Sequence, residues 1–168
     1  VLFRSYFIGK AILVLFSMAV QVLLLMGAGV AFFGLHMPTT TAKWINFFLF
    51  LVIGTICATA LGIAFSAIPK SGRGASAVVS PIVIILQFFS GVFFIFTQLP
   101  EWMQGFAAIF PLKWLTQAMR SVFLPDSFIA KEAAGSWEYG RSLLILLLWT
   151  VIGIALSVKK FKIGRAHV

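Results

Sequence analysis

Proton transfer and metal chemistry need ionisable side chains held close together, and this chain offers few. Its four acids, Glu101, Asp126, Glu132 and Glu138, all lie between positions 101 and 138. Of the two histidines, His167 belongs to a terminal stretch set aside below, and His36 stands alone. A metal centre wants clustered His, Cys or carboxylates, and a hydrolytic triad wants a base spaced to serve a nucleophile; neither pattern is present. Lys70–Ser76, KSGRGAS, loosely resembles a phosphate-cradling loop. It lacks the Gly-Lys-Ser/Thr ending and joins two apolar runs, so it reads as a turn. Cys57 is the single cysteine and lies inside an apolar run, which leaves no disulfide framework. No catalytic site, no bound metal and no bound cofactor are expected of this chain.

Composition gives the reason. Hydrophobic residues make up 61% of the 168 positions and charged ones 10%, with a mean hydropathy of +1.08. A soluble domain of this size would have to expose much of that apolar surface to water. Long apolar runs make the solvent a bilayer instead. The formal charge of +9 does not point to nucleic acid, because the basic residues sit at the edges of apolar runs and form no patch.

Val1–Ser5 (VLFRS) and Ile163–Val168 (IGRAHV) resemble translated sequencing-adapter stretches, and no initiator Met is present. Both are set aside as artefacts, leaving a body of about Tyr6–Lys162 cut from a longer protein. An all-α polytopic membrane protein with four transmembrane helices is expected, with spans at Ala11–Phe33, Ile45–Ile68, Ala75–Phe96 and Tyr139–Val158. The last apolar run, from Ser142, has only 17 residues, and Trp137 and Tyr139 extend it as interfacial anchors. Lys10, then Lys70 and Arg73, then Lys159, Lys160 and Lys162 fall on one side of four spans. The positive-inside rule makes that side cytoplasmic, so both ends of the body are inside and Gln98–Gly140 is outside.

Within the spans, side chains at depth are small or neutral. Gly54, Ala58, Gly62 and Ser66 recur every four residues and read as a helix-packing seam, where close backbone approach drives association in lipid. Gln87, with Ser90 one turn on, either lines a substrate path or makes an interhelical hydrogen bond. Pro81 either kinks its helix or sits near its first turns. No ionisable group lies in the middle of any span, unlike proton relays and ion-coupled transporters.

The stretch Gln98–Leu124, QLPEWMQGFAAIFPLKWLTQAMRSVFL, is too interrupted to span and too greasy for a solvated loop. Pro100 and Pro111 divide it into two short helices, about 99–124 in all, the second opening on Pro111 as a first-turn proline. Trp102, Phe106 and Ile109 share a face of the first helix. Leu112, Leu115, Met119 and Val122 form an apolar stripe on the second, opposite Lys113, Gln117 and Arg120. Such a pair either re-enters the outer leaflet, packed on the spans, or lies flat at the interface.

FFSGVFFIF at the end of the third span, then Leu99-Pro100 with Trp102, then Pro111-Leu112 with Ala118-Met119-Arg120, then a polar segment and a last span ending in lysines, resembles the C-terminal part of bacterial ABC-2 type permeases. The resemblance covers about Tyr6–Lys162 and implies the last four of six spans, in the bacterial plasma (inner) membrane. It further implies a re-entrant hairpin serving as outer gate, through Pro100, Trp102, Pro111, Lys113, Gln117 and Arg120. The expected partners are an ABC ATPase subunit or domain, which carries the ATP and magnesium, a second permease copy, and membrane lipid. Two alternatives are a fragment of a secondary transporter or channel, and a membrane-embedded enzyme. The first is disfavoured by the absence of charge at depth and the second by the absence of an acid–base set.

Overall fold

The computed structural model of the protein describes residues 2–66 and 72–165, with side chains within 12–65 and 79–159. It is helical, with no strand among the described residues, and divides into two units, Val1–Pro38 and Thr39–Val168.

The first unit is one long helix, α1 (Leu2–Phe33), whose apolar part Ile12–Phe33 is long enough to cross a bilayer. It ends at Gly34, which takes a left-handed φ of 62°. The chain then turns back, so that the Leu35 N–H donates to the Gly29 carbonyl at 2.9 Å and the Leu35 side chain covers Gly29. A glycine just past the last turn is the usual way to close a helix C-terminus.

The second unit holds α2 (Thr41–Ser66), α3 (Gly72–Phe89), α4 (Glu101–Ala107), α5 (Pro111–Phe123) and α6 (Tyr139–Arg165), with short 3-10 turns at Phe96–Gln98 and Asp126–Lys131. The apolar parts of α2 and α6, Thr41–Phe65 and Tyr139–Lys159, are each long enough to span. The third expected span needs correction at its end. Its helix stops at Phe89 rather than Phe96, because Ser90 and Gly91 turn the chain and Gly91 takes a φ of 80°. Those 18 residues reach about 27 Å, close to the hydrocarbon thickness. Pro81 lies well inside α3, and the helix runs through it. Residues 69–71 of the basic turn, including Lys70, lie outside the described residues, as do the side chains of Lys10, Arg73, Lys160 and Lys162.

α2 packs most extensively on α6, and α5 inserts against both. The core is Phe50, Cys57, Ala118 and Leu146, flanked by Ile53, Leu61, Leu115 and Trp149. The buried side of α2 runs through Phe47, Phe50, Gly54, Cys57, Ala60 and Ala64. That alternation of three and four keeps one face toward a partner crossing at a shallow angle. The expected four-residue stripe departs from it. Gly54 is on the packed face, with Leu115 seated over it, whereas Ala58 is exposed and Gly62 has open space around it. Each four-residue step advances about 40° around a helix, so Gly62 has rotated roughly 80° away from Gly54. The Ser66 side chain lies outside those described. The close approach of α2 and α6 occurs instead at Gly153, where an added Cβ would come within 2.9 Å of the Ala60 backbone. Nearby, the Ser157 hydroxyl donates to its own helix at Gly153, 2.8 Å away.

Gly153→Val is therefore expected to cost about 1–3 kcal/mol by forcing α2 and α6 apart. Gly62→Ala should be neutral or slightly stabilising, since alanine is the better helix former and nothing obstructs its methyl. Unfolding in detergent micelles measures both, and equal effects would displace the seam from Ala60–Gly153.

Candidate functional site

The α4–α5 hairpin is where the chain gathers polar and aromatic groups. Pro100 caps α4, its carbonyl accepting from the Met103 and Gln104 amides at 2.9 and 3.1 Å. The Gln104 side chain in turn donates to the Leu99 carbonyl at 2.7 Å. Trp102 is exposed, touching Phe89 of α3 across 6.4 Å between ring centres. Pro111 occupies the first turn of α5, where its missing N–H costs nothing. Between the helices, two carbonyls are left without intrahelical partners. The Trp114 indole donates to Ala108 and the Trp149 indole to Ile109, each at 2.7 Å. Phe110 stacks on Trp149 with ring centres 5.9 Å apart.

From this turn α5 runs back alongside α2. Leu115 meets Gly54 near its start, and Phe123 meets Phe47 near its end, 5.7 Å between ring centres. Lys43 closes the top, its Nζ donating to the Leu124 carbonyl at 3.1 Å and pairing with Asp126 at 3.5 Å. No residue of α5 is exposed. The apolar stripe of Leu115, Met119 and Val122 is covered, and so is the polar stripe opposite it.

The structure brings Lys113, Gln117 and Arg120 together with the acids of the following segment. Lys113 is 3% exposed. Its ammonium donates to the Gln117 side chain, lies 4.0 Å from Glu138, and sits 3.5 Å from the centre of the Trp114 ring. Burial pushes Lys113 from its usual 10.5 down to about 8, while the charge of Glu138 and, less so, Glu132 pulls the other way. The Gln117 amide reaches the Ser136 and Trp137 carbonyls, both at 3.3 Å. Glu138 is held in a left-handed conformation at φ 46° just before α6 and also pairs with Arg141 at 3.1 Å. Arg120 forks onto Glu132, Nε to Oε1 at 2.8 Å and Nη2 to Oε2 at 3.1 Å, and its Nη1 donates to the Gly91 carbonyl at 3.2 Å. Gly91 takes a left-handed φ of 80° that favours glycine, and a Cβ there would press on Arg120 Nη1 at 3.0 Å.

Gln87 and Ser90 lie apart from this network. Ser90 is buried and donates to the Gln87 carbonyl at 3.4 Å, and the half-buried Gln87 amide makes no hydrogen bond among the described residues. Thr55, Thr59 and Thr150 each donate to the carbonyl four residues back, so these hydroxyls turn inward on their own helices. Among the described residues no group of His, Cys, Asp or Glu could hold a metal ion. Sequence reasoning missed Glu132, Glu138, Gly91 and Trp149 as members of this site. The signal for the acids was present: all four share the segment that holds Lys113 and Arg120.

Removing one side of the Arg120–Glu132 pair leaves the other charge buried and unpaired, so Arg120→Ala and Glu132→Ala are each expected to cost about 3 kcal/mol. The double variant should cost little more than either single one. Unfolding of the three variants in detergent reads the coupling, and plain additivity would mean that the fork contributes nothing.

A family model described as ABC-2 family transporter protein matches residues 3–159. No curated protein and no solved structure matches the chain. The match extends over α1 to α6, hairpin included, and its family is one of membrane components that work with an ABC ATPase. The chain belongs to the ABC-2 family of transporter proteins and is a membrane permease component of an ABC transporter.

Proposed function

We propose that this chain forms part of the substrate path and the outer gate of an ATP-driven exporter, with the α4–α5 hairpin re-entering the membrane from outside. One observation carries the reading: the hairpin turn bonds to Trp149, ten residues into α6. At 1.5 Å per residue that is about 15 Å below the start of the span, half of a hydrocarbon core about 30 Å thick. A helix pair lying flat on the surface would not reach that level. Backbone at such depth is tolerated only where protein satisfies it, and the two indoles and the covered faces of α5 meet that requirement.

In this reading Pro100 and Pro111 set the hairpin's ends, Trp102 anchors α4 against α3, and Lys113, Gln117 and Arg120 tie it to the outer segment. Gln87 and Ser90 border the path. Energy comes from ATP and magnesium on a partner ATPase, and a second permease copy completes the path. The membrane is the bacterial plasma membrane, with Lys10 and Lys159 on its cytoplasmic side. Positive-inside charge supports that orientation, since Lys10, Lys70, Arg73, Lys159, Lys160 and Lys162 flank the spans on one side.

In a Cys57→Ala background, Ser127→Cys should react with an impermeant thiol reagent only from outside the cell, and Lys159→Cys only after the cytoplasmic face is opened. The reverse pattern would overturn the orientation and the gate with it. The full-length protein is expected to copurify with a subunit or fused domain carrying a phosphate-loop motif, and transport should stop when ATP is withheld. Transport driven by an ion gradient without ATP would favour the secondary-transporter alternative.

A further inference from the structure

Where α3 ends, the chain bends through Gly91–Phe96 and leaves a cleft of about 230 Å³ against Leu124, Phe128, Lys131, Glu132 and Arg120. Drug-sized ligands occupy pockets of about 300–1,000 Å³, so this cleft takes one end of a larger molecule. Its charge is unbalanced. Glu132 is neutralised by the fork from Arg120, whereas Lys131 is exposed, pairs with no carboxylate among the described residues, and lies 4.5 Å above the Phe128 ring. Its rim is aromatic. Phe93 and Phe94, 59% and 53% exposed, cluster with Phe88 at 5.0 and 5.9 Å between ring centres.

The level of this cleft in the bilayer follows from its backbone. The backbone of Val92, Phe93 and Phe94 is not helical and makes no hydrogen bond among the described residues, unlike the hairpin turn, and such backbone beside lipid is tolerated only where headgroups or water can bond to it. That assigns the bend to the headgroup level, where exposed aromatic rings are usual. A free ammonium, an aromatic floor and an apolar rim at one level match the phosphate, glycerol and first methylenes of a phospholipid.

We infer that the cleft between the Gly91–Phe96 bend and the Leu124–Glu132 segment holds an anionic phospholipid, with Lys131 on the phosphate and Phe93 and Phe94 along the acyl chains. Arg120 and Glu132 shape the floor and stay paired with each other. The inference needs the chain to lie in a bilayer but not the gating or export reading, so it is tested without transport.

Native mass spectrometry of the protein released from bilayers of phosphatidylcholine with added phosphatidylglycerol counts the phospholipids that remain bound. The wild type should retain phosphatidylglycerol in preference to phosphatidylcholine. Lys131→Ala should lower that retention roughly fivefold, the effect of one basic residue at the surface of an anionic membrane, and Lys131→Glu should lower it further. Lys159→Ala, which removes a lysine at the far end of α6, should leave retention unchanged, and circular dichroism checks that each variant is folded. Equal retention by wild type and Lys131→Glu would overturn the site. So would an equal loss with Lys159→Ala, which would mean general charge attraction only. Competition by inorganic phosphate in detergent as effective as that of phosphatidylglycerol would show a soluble-anion site and overturn the lipid assignment.

Discussion

The structure depends on how two backbone carbonyls are satisfied. When a helix pair turns round against the side of a long apolar helix, the carbonyls at the turn lose their helical partners and need other donors. Here those of Ala108 and Ile109 accept from the indoles of Trp114 and Trp149. Tryptophan suits the task because its indole combines a single donor with a large apolar body, satisfying the carbonyl without bringing a second polar demand. The two rings come from different elements, one from the hairpin itself and one from α6, so the same bonds that permit the turn also fix its position.

With the turn held there, α5 has to lie between α2 and α6, and both of its faces become interior. Its apolar stripe meets Gly54, which leaves room for Leu115. Its polar stripe cannot be left in a dry interior, and the segment before α6 supplies the matching groups. Arg120 meets Glu132 and the Gly91 carbonyl, Gln117 meets the backbone at Ser136 and Trp137, and Lys113 extends toward Glu138. The long lysine stem crosses apolar surface while its charge reaches a carboxylate. Three separate stretches, the end of α3, α5 and the approach to α6, are thereby tied together by groups from a helix that does not span.

The seam of α2 illustrates what a single-sequence pattern misses. Small residues every four positions look like a continuous stripe, but the stripe winds around the helix and only Gly54 meets another element within the described chain. The residues that do set the closest approach, Ala60 and Gly153, are ordinary in a membrane helix and become distinctive only once the two helices cross. The early end of α3 has a similar cause. Val92–Phe96 continues the apolar run without a break in hydropathy, and it is Gly91, stabilised in a left-handed turn beside Arg120, that ends the helix.

Hydropathy, which needs only the order of residues, determined the membrane class, the approximate spans and the absence of charged side chains from their middles. The two prolines, by removing amide donors at set positions, determined that Gln98–Leu124 would divide into a helix pair. The partner of each polar side chain and the place of the hairpin against α2 and α6 were decided by tertiary structure alone. Lys113, Gln117 and Arg120 read as the polar edge of an outer gate, and form an internal network because Glu132, Glu138 and Gly91 arrive from elsewhere in the chain. Trp149 read as one more apolar residue of the last span, and became the anchor of the hairpin because the Ile109 carbonyl meets it across 40 residues of sequence. Contacts between residues so distant are set by how whole helices pack, and that information resides in no local stretch.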